Sequence, residues 1–320
     1  MYFNIVQSYL AVFPCVVILG PRQCGKTTLL KSLPEKWQLF DLEKRSDFLE
    51  ISRDPDLFFR EYSEKIAIDE AQLCQTLFPA LRVAIDSNRN KRGRFVITGS
   101  SSPELLHSVS ESLAGRVGVI EMAPFSFLET ESRMESNFFT ALKIDSIPKR
   151  KETLLSLVEN STFSAVKKYW IRGGYPEPWL SRKKHFHEIW MENYIKTYVE
   201  RDIAKLFPSL DKVKFTLFVE LLANLSGTVI NYSDVARALG VSQPTIRDYF
   251  EIAHGTFIWR TIPSYEKHAI KRIVKHPKGY LRDSGLCHHF LHLRDWETLK
   301  SHPKMGASWE SMVIEEILRG

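Results

Sequence analysis

Residues 20–27, with the sequence GPRQCGKT, fit the pattern of one glycine, four variable residues and then Gly-Lys-Thr. The apolar run YLAVFPCVVILG leads straight into this loop and is interpreted as a buried strand, with CVVIL (15–19) as its continuous apolar part. We predict a helix from about Lys26. Glycines let such a loop turn tightly and aim its N–H groups inward, and the helix that follows adds its positive end. The feature therefore predicts an α/β fold whose first strand–helix connection can bind a phosphate group.

Four further short apolar segments are predicted to be strands, with a helix over FPALRVAID (78–86). Apolar strands that alternate with helices are typical of a parallel sheet that is covered on both faces. We therefore expect the α/β fold class, with a sheet of the P-loop NTPase type. The predicted strands after CVVIL (15–19) are WQLFDLE (37–43), KIAIDE (65–70), RFVITG (94–99) and VGVIEM (117–122).

ATP and Mg²⁺ are the cofactors that this arrangement predicts. Lys26 should reach the β- and γ-phosphates, and Thr27 should ligate Mg²⁺. The strand IAIDE ends at the sheet edge where open α/β folds bind ligands, so Asp69 should hold Mg²⁺ and Glu70 should polarise the attacking water. The alternatives are a glycine turn without a ligand and a solvated strand end. The expected nucleotide-binding residues are Gly20, Pro21, Arg22, Gln23, Cys24, Gly25, Lys26, Thr27 and Thr28.

Three further side chains are candidates for catalysis of ATP hydrolysis. Thr98 and Ser100 end the fourth strand, where a polar group can sense the γ-phosphate or orient water. Arg116 precedes the fifth strand and could neutralise transition-state charge, either in cis or from a neighbouring chain; the alternative is a structural arginine. Cys24 lies near a helix N-terminus and Lys26, so we expect a thiol that loses its proton easily and that Mg-ATP covers; the alternative is a buried, inert cysteine.

Composition limits the function classes. The four cysteines lie far apart without a C-x-x-C pair, which indicates reduced thiols in the cytoplasm rather than a disulfide framework. No apolar stretch approaches the ~18 residues that a membrane span needs, so we expect a soluble protein. Residues 1–150 hold 19 basic and 19 acidic residues, whereas residues 151–320 hold 25 and 19. The whole net charge of +6 thus lies in the second half, which hints at a polyanionic partner.

A family resemblance rests on six motifs: GPRQCGKTTLL, AIDEAQ, VITGSSSPELL, SLAGRV, APFSFLE and GGYPEP. They occur in the order seen in prokaryotic AAA-like ATPases, relatives of the origin-recognition (ORC) and STAND ATPases that carry a C-terminal domain of unknown function. The chain resembles this family over nearly its whole length. The resemblance implies a P-loop AAA+-like core (1–135), a helical lid (136–205), a winged helix-turn-helix (206–263) and a partial restriction-endonuclease-like domain (264–320).

The resemblance also implies roles for single residues. Lys26 and Thr27 match the Walker A positions, and Asp69 and Glu70 match the Walker B pair. Thr98 or Ser100 resembles sensor 1, and Arg116 is a candidate arginine finger. Cys24 departs from the family, which usually has a small aliphatic residue at this position.

The segment NYSDVARALGVSQPTIRDYFEIA (231–253) predicts a helix-turn-helix. Ser233 should cap a helix that ends at Gly240, and Ser242 should cap a second helix with Pro244 in its first turn. TFIWRTI (256–262) is predicted to be the wing strand. Contact with DNA and a purely structural or protein-docking role remain open. The predicted core is Val235, Leu239, Val241, Ile246 and Phe250, and the predicted outward side chains are Gln243, Thr245 and Arg247.

The residues that follow carry three weaker signals. The basic segment YEKHAIKRIVKHPKGYLR (265–282) could bind phosphates together with the helix-turn-helix, which makes DNA a candidate partner of residues 231–282; another protein or self-association is the alternative. His288 and His292 have i, i+4 spacing without an obvious third metal ligand. Glu310, in GASWESMVIEEIL, resembles an early acidic position of the endonuclease-like domain. The chain stops at Gly320 before that domain's later strands, so we expect a fragment without nuclease activity.

The sequence therefore favours a Mg²⁺-dependent ATPase whose hydrolysis moves a lid and a winged helix. A DNA-binding regulator that uses ATP as a slow switch is the second hypothesis. A small-molecule kinase is disfavoured by the Asp-Glu pair and the predicted winged helix, and the sequence shows no acceptor site.

Overall fold

The structure is a computed structural model that describes residues 1–100, 111–133, 137–157, 161–183, 185–203, 207, 209–263 and 277–319. The chain divides into two compact units, residues 1–123 and residues 124–320. Each unit has its own buried apolar cluster.

The first unit alternates strands and helices, as the sequence predicts. Its strands are β1 (Cys15–Gly20), β2 (Gln38–Asp41), β3 (Ile66–Asp69), β4 (Phe95–Ser100) and β5 (Val117–Glu121). Its helices are α1 (Tyr2–Val12), α2 (Lys26–Lys31), α3 (Arg45–Arg53), α4 (Pro55–Glu61) and α5 (Leu77–Asp86), with a 3₁₀ turn at Ala71–Leu73.

The five strands form one parallel sheet in the order β2-β3-β4-β1-β5. β1 and β3 are buried along their whole length, because helices cover the sheet and leave neither strand a solvent face. In register, Gly20 lies beside Ser100, and Asp41 lies beside Asp69. The carboxyl ends of β1, β2, β3 and β4 therefore meet at one edge, which is where the first connecting loop and the Asp-Glu pair stand.

The N-terminal helix α1 is a difference from the sequence interpretation, which assigned the run YLAVFPCVVILG to a single buried strand. Only Cys15–Gly20 is strand, and the chain before Phe13 is helical. Tyr2, Val6 and Leu10 recur at helical spacing and are buried in the cluster that also contains Val16. Pro14 separates the helix from the strand. Because the sequence is apolar on both sides of this proline, the change from helical spacing to a continuous strand is not evident from the run itself.

The second unit is mainly helical. Its helices are α6 (Phe127–Thr130), α7 (Asn137–Leu142), α8 (Ile147–Leu155), α9 (Phe163–Arg172), α10 (Pro176–Leu180), α11 (Phe186–Tyr194), α12 (Lys212–Leu225), α13 (Tyr232–Leu239), α14 (Gln243–Gly255), α15 (Ser284–Phe290), α16 (Trp296–Ser301) and α17 (Met305–Arg319), and a π-helix spans Ile195–Ile203. Its strands are β6 (Thr228–Val229), β7 (Trp259–Ile262) and β8 (Lys278–Leu281), which pair antiparallel in the order β6-β8-β7.

The predicted helix pair is present as α13 and α14. Gly240 ends α13 in the left-handed conformation, and Ser242 caps α14 through the Thr245 N–H. The first cap is a correction: Asn231, not Ser233, accepts the Ser233 and Asp234 N–H groups. The predicted core residues Val235, Leu239, Val241, Ile246 and Phe250 all belong to the main apolar cluster of this unit or pack against it.

A buried charge cluster joins β7, the residue that follows β8, and α17 within the second unit. The Glu315 carboxylate is 2% exposed and accepts hydrogen bonds from Arg260 (2.5 Å) and Arg282 (3.4 Å). Arg319 Nη2 lies 4.0 Å from the same carboxylate. Such a cluster is stable only when each charge keeps its partners, so Glu315 links three parts of this unit.

None of the helices in the described ranges is long and apolar enough to cross a bilayer. The division of residues 136–320 into a lid, a winged helix and a partial endonuclease-like domain stays a prediction.

Candidate nucleotide site

Two glycines shape the loop after β1. A Cβ atom on Gly20 would stand 2.2 Å from the Met122 carbonyl oxygen, so only glycine lets β1 approach the chain after β5 this closely. Gly25 has φ of +106°, in a region that side chains disfavour, and it stands immediately before α2. The close approach at Gly20 and the positive φ at Gly25 explain why the motif has glycine at its first and sixth positions.

Lys26 begins α2 and turns back over its own loop. Its ammonium group donates hydrogen bonds to the Gly20 carbonyl (3.0 Å) and the Pro21 carbonyl (2.9 Å), and the residue is 4% exposed. These two carbonyls hold a buried positive charge at the start of the loop. A phosphate oxygen can replace such a neutral acceptor at little cost, because a charge-assisted hydrogen bond is the stronger one.

Asp69 ends β3 with both carboxylate oxygens in use. The Thr27 hydroxyl donates to Oδ2 at 2.5 Å, and the Thr98 hydroxyl donates to Oδ1. Thr98 also accepts a hydrogen bond from the Glu70 N–H at 3.4 Å. Asp69 and Thr98 are buried, so the carboxylate is held in one orientation between α2 and β4. The structure thus brings together Lys26, Thr27, Asp69 and Thr98 at one edge of the sheet.

Glu70 follows directly and has an unusual backbone. Its φ of 55° and ψ of 45° place it in the left-handed region, which costs a residue other than glycine about 1–3 kcal/mol and persists where the surroundings hold it. Its carboxylate is partly exposed and accepts a hydrogen bond from the Gln72 amide. Gln72 is a residue that the sequence interpretation did not single out, although the motif AIDEAQ contains it. The spacing i, i+2 after a strand end is the signal that could have identified it.

The oxygen atoms at this edge suit Mg²⁺. A threonine hydroxyl and a carboxylate are hard ligands, and Mg²⁺ typically uses one or two such protein groups together with waters and phosphate oxygens. The Thr27 and Asp69 oxygens already face each other at 2.5 Å, so both can turn toward one shared ion. Residues Thr27 and Asp69 therefore fit the ion, and Lys26 fits the phosphates.

Arg116 lies at the amino ends of the strands, whereas the glycine loop and Asp69 lie at their carboxyl ends. Val117 pairs with Cys15, so Arg116 stands level with the start of β1, about 20 Å from Gly20 at ~3.3 Å per residue. Its guanidinium makes two 2.8 Å hydrogen bonds to the Asp86 carboxylate at the end of α5. This placement does not support action of Arg116 in cis, and action from a neighbouring chain stays a prediction. Ser100 ends β4 at the site edge, and only its backbone is described.

Cys24 does not match the predicted reactive thiol. The residue is 1% exposed and packs in the apolar cluster beneath the loop, with its Sγ 3.1 Å from the position of a Gly20 Cβ atom. Burial raises the pKa of the Cys24 thiol, and this outweighs the lowering effect of the Lys26 charge. The prediction of a low pKa was wrong because the side chain is buried in the apolar cluster.

Several predicted residues of the second unit are placed differently. Tyr280 and Arg282, assigned to a phosphate-binding segment, are buried, and Lys278 pairs with Glu310 at 3.1 Å. The other basic residues of that segment (Lys267, Lys271, Arg272 and Lys275) and Tyr265 lie outside the described residues. Gln243 and Arg247 are exposed as predicted, whereas Thr245 is only partly exposed.

His288 is a core residue. Its Nδ1 lies 3.2 Å from the Ile171 carbonyl and its Nε2 lies 2.6 Å from Ser308 Oγ, which the Trp170 indole N–H also contacts at 2.9 Å. A carbonyl oxygen only accepts, so Nδ1 carries the proton and Ser308 donates to Nε2. Among the described residues, no group of three or more His, Cys, Asp and Glu side chains could hold a metal ion.

Residues 12–131 match the family described as AAA domain, and residues 164–297 match a domain of unknown function. The chain carries an AAA domain. It is 34% identical over 308 residues to uncharacterized proteins of Mycobacterium bovis and Mycobacterium tuberculosis. The matched region is 95% of this chain and 62% of each relative, so the chain spans less than two thirds of their length. The AAA domain contains all of the site residues from Gly20 to Arg116.

A solved structure gives the same fold. The Walker-type ATPase of Pyrococcus abyssi is similar with a TM-score of 0.51 and 15% identity, over 90% of this chain and 94% of that chain. At this identity the similarity shows the fold alone. The predicted fold class, an α/β P-loop protein with a parallel sheet, is confirmed, and so is the predicted combination of an AAA domain with a C-terminal domain of unknown function.

Proposed function

We propose that the AAA domain binds Mg-ATP at the carboxyl edge of its sheet and hydrolyses it. One observation carries the proposal: Asp69 is held between the Thr27 hydroxyl of the glycine loop and the Thr98 hydroxyl of the neighbouring strand. These hydrogen bonds connect the helix start after the glycine loop, the end of β3 and the end of β4 in one group of contacting residues. A structural glycine turn would not need a buried carboxylate with two hydroxyl donors.

Each residue has a distinct task in this proposal. Lys26 leaves the Gly20 and Pro21 carbonyls and binds the β- and γ-phosphates, while the loop residues from Gly20 to Thr28 enclose the phosphate chain. Thr27 and Asp69 hold Mg²⁺, which neutralises phosphate charge when bound. Thr98 keeps Asp69 oriented and, with Ser100, stands where the γ-phosphate can be sensed.

Glu70 is the proposed general base. Its left-handed backbone turns the chain sharply after β3, and Gln72 holds the carboxylate at the edge where Asp69 binds the ion. A carboxylate in that place can orient the attacking water and accept its proton, a role that contributes about 10²–10⁴ in rate. Gln72 is then a positioning residue for Glu70.

Phosphate release from ATP tests the proposal. Lys26→Ala should abolish turnover because nucleotide binding itself weakens. Lys31→Ala is the matched control, since Lys31 stands at the end of the same helix and is exposed. Equal turnover by the wild type and K26A, or equal losses in K26A and K31A, would show that this loop is not the site of hydrolysis.

The second unit suggests what hydrolysis could drive. The order α12, β6, α13, α14, β7 within residues 206–263 supports the predicted winged helix, and α14 exposes Gln243 and Arg247. We propose that the ATPase cycle moves this module and the preceding helices against a nucleic acid. Turnover measured with and without duplex DNA distinguishes an ATPase that DNA stimulates from a regulator with little turnover.

A further inference from the structure

The end of helix α5 and the loop after it form a basic surface that neither the ATPase site nor the helix-turn-helix uses. Arg82, Arg89 and Arg92 are all exposed there. Arg82 precedes Asp86, the last residue of α5, by one helical turn, and Arg89 follows Asp86 by three residues. The Arg92 guanidinium donates a hydrogen bond to the Arg89 carbonyl at 2.9 Å. We call Arg82, Arg89 and Arg92 the α5 basic surface.

The first two arginines of this surface lie around the same carboxylate. The hydrogen bonds from Arg116 hold the pKa of Asp86 below its usual range, and the charges of Arg89 and Arg82 add to this effect. A charge acts on an exposed carboxylate in this way only from nearby, because salt solution screens exposed charges beyond about 10 Å. Arg82 and Arg89 are therefore neighbours across Asp86, and the surface continues to Arg92 through its contact with Arg89.

The acidic residues in contact with this part of the chain do not cancel its positive charge. The Asp86 carboxylate accepts two 2.8 Å hydrogen bonds from Arg116, and Glu64 forms an ion pair with Lys91. Among the residues that the structure describes, no carboxylate lies within 4 Å of any of the three arginines of the surface. With both ion pairs included, five cations and two anions leave a net charge of +3.

The chemistry of the surface fits a ligand that carries a row of phosphates. A guanidinium presents a planar fork that matches two phosphate oxygens. Arg82 and Arg89 are seven residues apart, which is about 10 Å at the ~1.5 Å rise per residue of a helix, so a ligand that follows both needs charges repeated along its length. Duplex nucleic acid carries one charge per ~1.7 Å of its axis. The exposed amides of Asn88 and Asn90 can donate hydrogen bonds to the same backbone.

We propose that the α5 basic surface binds the phosphate backbone of duplex nucleic acid without reading its sequence. Residues 82–92 contain no aromatic side chain on which an unpaired base could stack, and Val83 is their one exposed large apolar side chain, too little to insert into a bilayer. The surface lies at the amino ends of the strands, where α5 leads into β4, whereas the nucleotide site lies at their carboxyl ends. The proposal extends the proposed function, in which nucleic acid is the partner, to the AAA domain itself, and it does not require hydrolysis.

Fluorescence anisotropy on the full chain without nucleotide tests the proposal, with two labelled duplexes of about 20 base pairs and unrelated sequence. Arg82→Gln with Arg89→Gln and Arg92→Gln should lower the slope of log affinity against log salt by about 2.7, which corresponds to three phosphate contacts. The change should be the same for both duplexes, because their phosphates are identical. Lysine at the same three positions keeps the charge, so R82K/R89K/R92K should retain most of the slope.

Exposed arginines on α3 and α4 provide the matched control. Arg45→Gln with Arg53→Gln and Arg60→Gln removes the same charge from a segment, residues 45–61, that also carries five acidic residues. This control should change the slope by less than about 0.5, since a surface of mixed sign holds few phosphates. Circular dichroism verifies that each variant is folded.

The proposal is overturned if R82Q/R89Q/R92Q keeps the wild-type slope, if R45Q/R53Q/R60Q or R82K/R89K/R92K loses as much of it, or if the wild type binds no duplex at low salt. Displacement of the duplex by poly-L-glutamate as readily as by unlabelled duplex would also overturn it, because the surface would then fit an acidic protein. ATP turnover without DNA reports on the nucleotide site alone. Absence of turnover in every protein would contradict the proposed function and leave the measured slopes unaffected.

Discussion

The buried His288 side chain should make the stability of the second unit depend on pH. Burial lowers the pKa of His288 from 6.5 to about 4, although its hydrogen bond to the Ile171 carbonyl opposes this. The histidine is neutral, with a proton on Nδ1 for Ile171 and a lone pair on Nε2 for the Ser308 hydroxyl. A second proton on Nε2 would face the Ser308 hydroxyl, which donates to this nitrogen and accepts from the Trp170 N–H, so the Ser308 hydroxyl would have to turn away from the ring.

The size of the effect follows from linkage. The pKa is lower in the folded state, so below about pH 6.5 the unfolded chain takes up a proton that the folded chain does not. Stability is then fully present above about pH 6.5 and is lost as the pH falls toward the folded pKa. Between about pH 7.5 and about pH 5, a pKa of about 4 predicts a loss of about 2 kcal/mol in the free energy of unfolding.

Urea unfolding followed by tryptophan emission measures this loss, because six of the seven tryptophans lie in residues 124–320. His288→Gln keeps a donor and an acceptor but does not titrate. Between the same two pH values, the free energy of unfolding of H288Q should therefore decrease by about 2 kcal/mol less than that of the wild type. Other titrating groups are common to both proteins and cancel in the difference. Parallel pH profiles for the wild type and H288Q would refute the reasoning.

Three further predictions concern other residues. Brief alkylation of the native protein should leave Cys24 unlabelled with and without Mg-ATP, since the thiol is buried and its pKa is raised; peptide mapping that finds rapid labelling would contradict this. Gly20→Ala should lose ATP binding, because its Cβ would displace the Met122 carbonyl 2.2 Å away, and tight binding by G20A in calorimetry would show that the loop has room. Glu315→Gln should lower the free energy of unfolding in urea by about 3–5 kcal/mol, because Arg260 and Arg282 lose their shared carboxylate. The control E192Q breaks the exposed Glu192–Lys196 pair and should lower it far less. Equal losses in the two variants would mean that the buried cluster is not stabilising.

The parts of the site that the sequence predicts are those with a local pattern. The strand–glycine loop–helix at residues 15–31 and the apolar strand before Asp69 each contain their own signal, and the parallel pairing follows from the alternation of strands and helices. Thr98 lies on β4, the strand next to β3 in the sheet, so the pairing of these two strands is enough to bring it into contact with Asp69. These elements agree with the prediction because the residues that give the local strand or helix pattern are the same residues that the packed sheet buries.

The differences arise where side-chain direction depends on distant residues. Cys24 is buried because the chain near Met122 and the core beneath the loop take up its side chain, and neither is adjacent in sequence. Arg116 could have been assigned to the far edge, since a residue that precedes a parallel strand lies opposite the residues that follow one. Asn231 and Ser233 are both good caps, and the position where α13 begins selects between them.

Glu70 is proposed to act only in the transition state of ATP hydrolysis. The most direct measurement is single-turnover release of γ-phosphate by the wild type and Glu70→Gln, with the ATP dissociation constant of each measured on the same preparation. E70Q should bind Mg-ATP nearly as tightly as the wild type and hydrolyse it at least about a hundredfold more slowly. An E70Q protein that binds ATP and hydrolyses it at the wild-type rate would contradict the assignment of the base, and with it the proposed site chemistry.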